Sequence, residues 1–377
     1  MAGIYIHIPF CKQACHYCNF HFSTSLQSKN EMIDALLSEL EDKKESIQHQ
    51  LVHTIYFGGV PLALLDSHDI DRLLSSIHQH YKVNALAELT LEANPDDITL
   101  EKLHTYKAMG INRFSLGVQS FFDEDLIYMH RTHHAKQAEQ SIIWLHQAGF
   151  HNISVDLIFG FPLLRHDKLQ LNIDKLLHYA IPHISTYAMT VEPHTALASF
   201  IKQQKESPMD TTQSATQYEY IMERLGNEKY EHYEISSFAK NGFRSKHNSA
   251  YWNQEHYIGI GPSAHSYFGH TRQWNLANNT KYIKAIKNKH VYYESELLSF
   301  EDRLNEYLMI QLRKSEGVDL SYVEEHFKLR LEHMYQKEMD EYIEKGYLQK
   351  KDSFLVLTNK GKLFADAIAS SLFLTKD

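Results

Sequence analysis

Short apolar runs alternate with amphipathic stretches through the first half of this chain, and no other feature restricts its fold as tightly. The runs Gly3 to Ile8, His53 to Phe57, Glu88 to Glu92, Arg113 to Gly117, Ile153 to Ile158 and Ile184 to Met189 are strand-length. Between them stand segments of helical periodicity: Glu31 to Ser46, Ser67 to Tyr81, Thr99 to Met109, two polar stretches after Gly117, and His166 to Tyr179. Six strand-then-helix units whose strands show little polar alternation call for a parallel sheet covered by helices. Six are too few to close the usual eight-fold barrel, so the expected fold is α/β, a partial open (β/α)6 TIM-like barrel over residues 1–190.

Residues 191–295 are less regular and rich in Tyr, His and Asn, which predicts an extension of the sheet with binding loops. From Phe300 the spacing predicts helices over 300–315, 320–327 and 329–345, a hairpin over 347–357 and a last helix after Thr358. Residues 296–377 thus read as a smaller, helical, winged-helix-like domain. That fold alone does not make it a DNA reader. With 38 Lys and Arg against 47 Asp and Glu the net charge is −9, so no global cationic field is present to hold nucleic acid, and none is expected as a partner. No run of eighteen apolar residues occurs, and Met1 to Phe10 has no basic n-region followed by a long apolar one, so the expected location is cytoplasmic.

All three cysteines, Cys11, Cys15 and Cys18, fall within eight residues directly after the first predicted strand. Random scatter would do this roughly once in a thousand chains, so a shared ligand is the economical reading. Three thiolates on one loop at the strand ends can hold three irons of a [4Fe-4S] cluster and leave the fourth open for chemistry. The competing reading is a Cys3His zinc site with His7, His16 or His21 as the fourth ligand. It lacks the second ligand pair elsewhere in the chain that closed zinc sites usually have. Three unrelated core cysteines fit worse, because Gln13, Ala14, His16 and Tyr17 do not make an apolar periodic stretch.

The other predicted strands end in residues able to meet a ligand at the same face: Gly58 and Gly59, Glu92 and Asn94, Gln119, Asp156, and Tyr187 with Ala188. Each taken singly has an ordinary structural reading as a surface charge, a cap or a turn residue. As a set on one rim they point to a binding site. The stretch Tyr5-Ile6-His7-Ile8-Pro9-Phe10-Cys11, continuing to Cys15, Tyr17 and Cys18, resembles the cluster motif of radical S-adenosylmethionine (SAM) proteins of the anaerobic coproporphyrinogen III oxidase family. The similarity runs over nearly the whole chain and is greatest to the heme chaperones within that family. It implies a radical SAM barrel, a [4Fe-4S] cluster on Cys11, Cys15 and Cys18, and SAM contacts from Tyr5, Tyr17, Gly59, Glu92, Gln119, Arg131, Asp156 and Ala188. One departure is Gly58-Gly59-Val60-Pro61-Leu62, where the family typically has Gly-Gly-Gly-Thr-Pro. A β-branched Cβ at 60 and a lost N–H at 61 predict altered or weakened SAM binding.

Two features favour the chaperone over the oxidase. The oxidase pattern has a fourth cysteine two residues after the third, where this chain has Phe20, and His247-Asn248-Ser249-Ala250-Tyr251-Trp252 matches the HNxxYW motif of the chaperones. The resemblance therefore implies heme as a third cofactor, with His247, Tyr251 and Trp252 at its site and a heme-acceptor protein as partner. An imidazole can ligate heme iron, and Tyr251 and Trp252 offer flat apolar surface. Lys240, Arg244 and Lys246 are candidates to meet the propionates, and His265 and Tyr251 are alternative iron ligands. From spacing alone, Tyr251 and Trp252 as core and His247 as a satisfied polar residue is the more economical reading; the resemblance tips it the other way. In the chaperone reading the cluster serves dimerisation or release control, and a membrane-bound acceptor would bring peripheral contact with a membrane. The enzymatic alternative is oxygen-independent coproporphyrinogen III oxidase, which cleaves SAM to start oxidative decarboxylation of propionate side chains.

Overall fold

A computed structural model of the chain describes residues 2–59 and 65–375, which form two compact units, 1–217 with 245–295 and 218–244 with 296–377. The first opens with the expected alternation: β1 (Ala2–His7), α1 (Lys29–Asp42), β2 (Val52–Gly58), α2 (Ser67–His80), β3 (Val83–Ala93), α3 (Leu100–Ala108) and β4 (Arg113–Gln119). It continues with α4 (Asp123–Tyr128), α5 (Ala135–Gln147), β5 (Ile153–Phe159), α6 (His166–His178) and β6 (His183–Ala188). Strands β1 to β6 pair in sequence order, all parallel. Six such strands make an open array, a partial barrel.

Helices α7 (Ala196–Lys202) and α8 (Thr211–Asn227) follow, then β7 (Glu231–Glu234), β8 (Ser237–Ala239) and α9 (Lys246–Trp252). After them come β9 (His256–Ile260), β10 (His265–Tyr267), β11 (Thr271–Asn275), α10 (Asn279–Lys287) and β12 (Tyr293–Leu297). The expected sheet extension is present: β9 pairs parallel with β1, and β10, β11 and β12 continue the sheet beyond it.

Side chains alternate along most of each barrel strand, with register shifts at Ala2, Val52 and between Leu116 and Gln119. Ile4 and Ile6, Ile55 and Phe57, Leu89 and Leu91, Phe114 and Leu116, and Val155 and Leu157 are buried on one face, as are Leu36, Ile70, Leu103, Leu145 and Ile173 of the helices that cover such a sheet. The opposite face is polar. One row runs Tyr5, Tyr56, Thr90, Arg113 across four strands, and the next runs Glu92, Ser115, Ser154, His183. A closed barrel fills this space with branched apolar side chains, so a polar interior is a ligand site rather than a core. The sequence reading of strands with little polar alternation needs correcting here: Arg113, Ser115, Gly117 and Gln119 alternate with Phe114, Leu116 and Val118.

The second unit carries α11 (Phe300–Leu312), β13 (Val318–Asp319), α12 (Leu320–Phe327), α13 (Leu331–Met334), α14 (Gln336–Glu344), β14 (Leu348–Lys351), β15 (Phe354–Leu357), α15 (Asn359–Lys362) and α16 (Ala365–Ser371). Its core gathers Leu304, Leu308, Val318, Leu348, Leu355 and Ile368 around a three-stranded sheet in the order β13-β15-β14. The single helix predicted over 329–345 is two, interrupted at Tyr335, whose φ of −122° and ψ of 27° leave helical geometry. Among the described residues no helix is long and apolar enough to cross a membrane.

Candidate functional site

The polar strand face and the loop after β1 enclose a cavity of about 470 Å³. Cys11, Cys15 and Cys18 line it, with Tyr17, Gly59, Glu92, Gln119, Arg131, Asp156 and Ala188. Residues from five strand ends and two loops are thus brought to one place. Tyr5 lies just behind the wall, its hydroxyl donating to His7 Nδ1 at 3.1 Å. Val60 and Pro61 lie outside the described residues.

The cysteine loop is held by contacts along its length. Cys11 N donates to Ser23 O at 2.9 Å and His16 N to Met129 O at 3.1 Å. His16 stacks on His130 with ring centroids 4.6 Å apart, and Lys12 pairs with Asp96 at 2.7 Å. Arg131 reaches Cys15 Sγ at 3.5 Å and Tyr17 Oη at 3.4 Å through Nη1, while Nη2 donates to Gly117 O at 2.9 Å and to Asn94. Burial pushes the Cys11 thiol up and the Cys18 thiol up to about 11. Loading metal onto this loop therefore displaces protons.

Gly59 turns the chain at φ +94°, and a Cβ there would stand 2.1 Å from His7 Nδ1, so only glycine fits. Its N–H donates to Glu92 Oε2 at 3.3 Å. Burial, then the neighbouring Asp156, pushes Glu92 up to about 7, and burial pushes Asp156 up to about 6. Gln119 ends β4 at φ +67°, a strained conformation for a residue with a side chain, and its Oε1 is buried without a hydrogen-bond partner among the described residues. Arg131 Nε is likewise buried with no hydrogen-bond partner among the described residues. Unsatisfied donors and acceptors aimed at one cavity fit a polar ligand bearing hydroxyl, amino and carboxylate groups, as SAM does.

A [4Fe-4S] cluster on three thiols also fits. No histidine lines the cavity, and among the described residues no three His, Cys, Asp or Glu side chains converge on a single ion. The candidate zinc histidines are engaged elsewhere: His7 Nε2 with His21 O, His16 Nδ1 with Tyr128 O, and His21 Nε2 with Asn279 Oδ1. The residues present do not make the closed tetrahedral site of the zinc reading.

The His247 motif forms α9, whose first N–H groups, from Lys246 and His247, donate to Glu88 of β3 at 3.3 and 3.1 Å. His247 is 2% exposed. Its Nδ1 lies 2.8 Å from Thr54 Oγ1, its Nε2 lies 2.8 Å from Tyr251 Oη, and its ring stacks on Tyr56. Burial pushes it down to about 3, so it is neutral. His247, Tyr251 and Trp252 therefore stand outside the cavity wall, and Asn248 alone of the motif lines it. His265 begins β10 on the sheet extension, paired with Trp274. Arg244 pairs with Glu231 and Glu316, and Lys240 with Glu228 O. Sequence reasoning missed Tyr56, Arg113, Ser115, Ser154 and Ser185, all lining the cavity. The period-two alternation within their strands marks them as sharing one face, and the register of the sheet shows that this face is the cavity.

Residues 5–171 match the Radical SAM superfamily and residues 298–364 match the HemN C-terminal domain. The chain is 34% identical to the heme chaperone HemW of Lactococcus lactis, covering 95% of this chain and 93% of that protein. It is also 34% identical to the heme chaperone HemW of Bacillus subtilis, covering 98% of each. The structure superposes on coproporphyrinogen III oxidase (HemN) of Escherichia coli with a TM-score of 0.85 at 20% identity, over 99% of this chain and 90% of that one, a likeness of fold.

Proposed function

We propose, since the chain belongs to the HemW family of radical SAM proteins, that it is a heme chaperone, binding heme beside a SAM-ligated [4Fe-4S] cluster and handing heme to an acceptor protein. The observation that carries this reading is the full-length similarity to heme chaperones in a chain whose cluster loop has Phe20 rather than a fourth cysteine. The cluster and SAM together supply one-electron chemistry or a redox-sensitive brace when bound.

This chain's residues have definite tasks in that reading. Cys11, Cys15 and Cys18 hold three irons, and Arg131 donates to Cys15 and Tyr17, fixing the loop and tempering the sulfur's charge. Glu92 and Asp156 accept from ribose hydroxyls or an ammonium, and Gln119 turns its free carbonyl oxygen to the same ligand. Ala188 completes the lining of the SAM site, and Tyr5 acts from behind the wall by holding His7, against which Gly59 turns. For heme, Tyr251 and Trp252 supply flat surface. His247 is the proposed iron ligand in a state where Thr54 and Tyr251 have released its nitrogens. We read the protein as cytoplasmic, its three parts as 1–190, 191–295 and 296–377, and its partners as a heme acceptor, in a membrane or not, and a second copy of the chain.

Hemin titration of anaerobically reconstituted wild-type and His247→Ala protein tests the reading, with release to an apo-cytochrome followed by absorbance. Binding weakened by His247→Ala and transfer from wild type are expected. Formation of protoporphyrinogen from coproporphyrinogen III, SAM and a reductant would overturn the reading in favour of the oxidase.

A further inference from the structure

The polar strand face continues below the cysteine loop, and the charge at its base has no task in the reading above. Arg113 begins β4, at the opposite end of the strand from Gln119, and is 1% exposed. A cation buried to that extent normally has a full set of charge-assisted hydrogen bonds, because an unpaired charge out of water is costly. Arg113 Nε has no hydrogen-bond partner among the described residues, and Glu88 Oε2 stands 3.8 Å away. Glu88 is itself occupied by the backbone N–H groups of Lys246 and His247. Arg113 lines the cavity beside Tyr56, Ser115 and Asn248. The backbone N–H of Asn248 donates to Ser245 Oγ at 3.2 Å, which leaves its side-chain carboxamide to face the cavity.

We propose that Arg113 and Asn248 form the floor of a carboxylate-binding subsite. A guanidinium fork matches a carboxylate, and an amide N–H beside it adds a second donor. Glu88 and Asp156 nearby limit the guest to a single negative charge, which excludes a phosphate dianion. Of the ligands in the proposed function, the tetrapyrrole brings such a group in its propionates, whereas the amino-acid end of SAM supplies its donors to the open iron. The subsite therefore rests on the heme reading. The subsite also gives the HNxxYW helix a second part in ligand recognition, through Asn248 in addition to His247.

The test compares the affinities of hemin and hemin dimethyl ester on reconstituted, anaerobic protein, in wild type, Arg113→Gln, Arg113→Lys and Asn248→Ala. Wild type is expected to prefer the free carboxylates by about tenfold or more. Arg113→Gln should erase that preference, Arg113→Lys should restore part of it, and Asn248→Ala should reduce it. If Arg113→Gln does not fold, the wild-type comparison and Asn248→Ala still decide. Equal affinities for the two in wild type, or a preference that survives both Arg113→Gln and Asn248→Ala, overturn the subsite while leaving the heme reading in place. Hemin that does not bind at all overturns the heme reading and the subsite with it.

Discussion

Glu92 shows how one buried side chain couples the site to pH. Its carboxyl is pushed up to about 7, mainly by burial, so the folded protein holds a proton there that the unfolded chain releases near pH 4.5. Wild type therefore has full stability from this group below the unfolded value and loses it as pH rises to about 7, where a bare carboxylate must be accommodated. Glu92→Gln removes that penalty. Thermal melts of the cluster-free protein should show the variant more stable than wild type at pH 8, by on the order of 3 kcal/mol, with the difference gone at pH 4. A difference independent of pH would remove Glu92 as its source. Arg131 makes a second residue-scale case, since a cationic donor to Cys15 sulfur favours the reduced cluster. Arg131→Gln should make the cluster's midpoint potential more negative, as read by potentiometric titration with EPR detection.

At the scale of elements, the strand-helix alternation was legible because each unit repeats the same physical pattern, and the cysteine loop was legible because its spacing is specific. Illegible was which way the strands face. Arg113, Ser115 and Ser154 look like interruptions of apolar runs until register places them in rows on one side of the sheet. The packing of α9 was equally hidden, because local sequence does not say that Glu88, 158 residues before Lys246, caps its first turn. That contact makes a prediction. Glu88→Ala leaves two helix N–H groups and the Arg113 charge without their partner, which should cost about 3 kcal/mol. Hydrogen exchange should show the lost protection concentrated in residues 246–252, and uniform loss across the first unit would contradict a local cap. Gly59 sets the same kind of limit on the turn after β2. Gly59→Ala combines a positive φ with a Cβ 2.1 Å from His7, so a drop in stability of about 2 kcal/mol or more is expected in denaturant titration.

Over the whole molecule, an incomplete barrel with a polar interior explains why so much of this chain's chemistry sits in one cavity. Helices cover the apolar strand face, the polar face is left for ligands, and the loop after the first strand brings three thiols to its mouth. The account's central claim is that these thiols hold a cluster with one open iron facing that cavity. Iron and acid-labile sulfide counted on anaerobically reconstituted protein, with EPR recorded on the reduced sample before and after SAM, test it most directly. About four irons and four sulfides per chain, a signal that SAM alters, and loss of both metal and sulfide in the Cys11→Ala, Cys15→Ala, Cys18→Ala triple variant are predicted. Colourless protein without sulfide, or an undiminished metal content in the triple variant, would contradict the account.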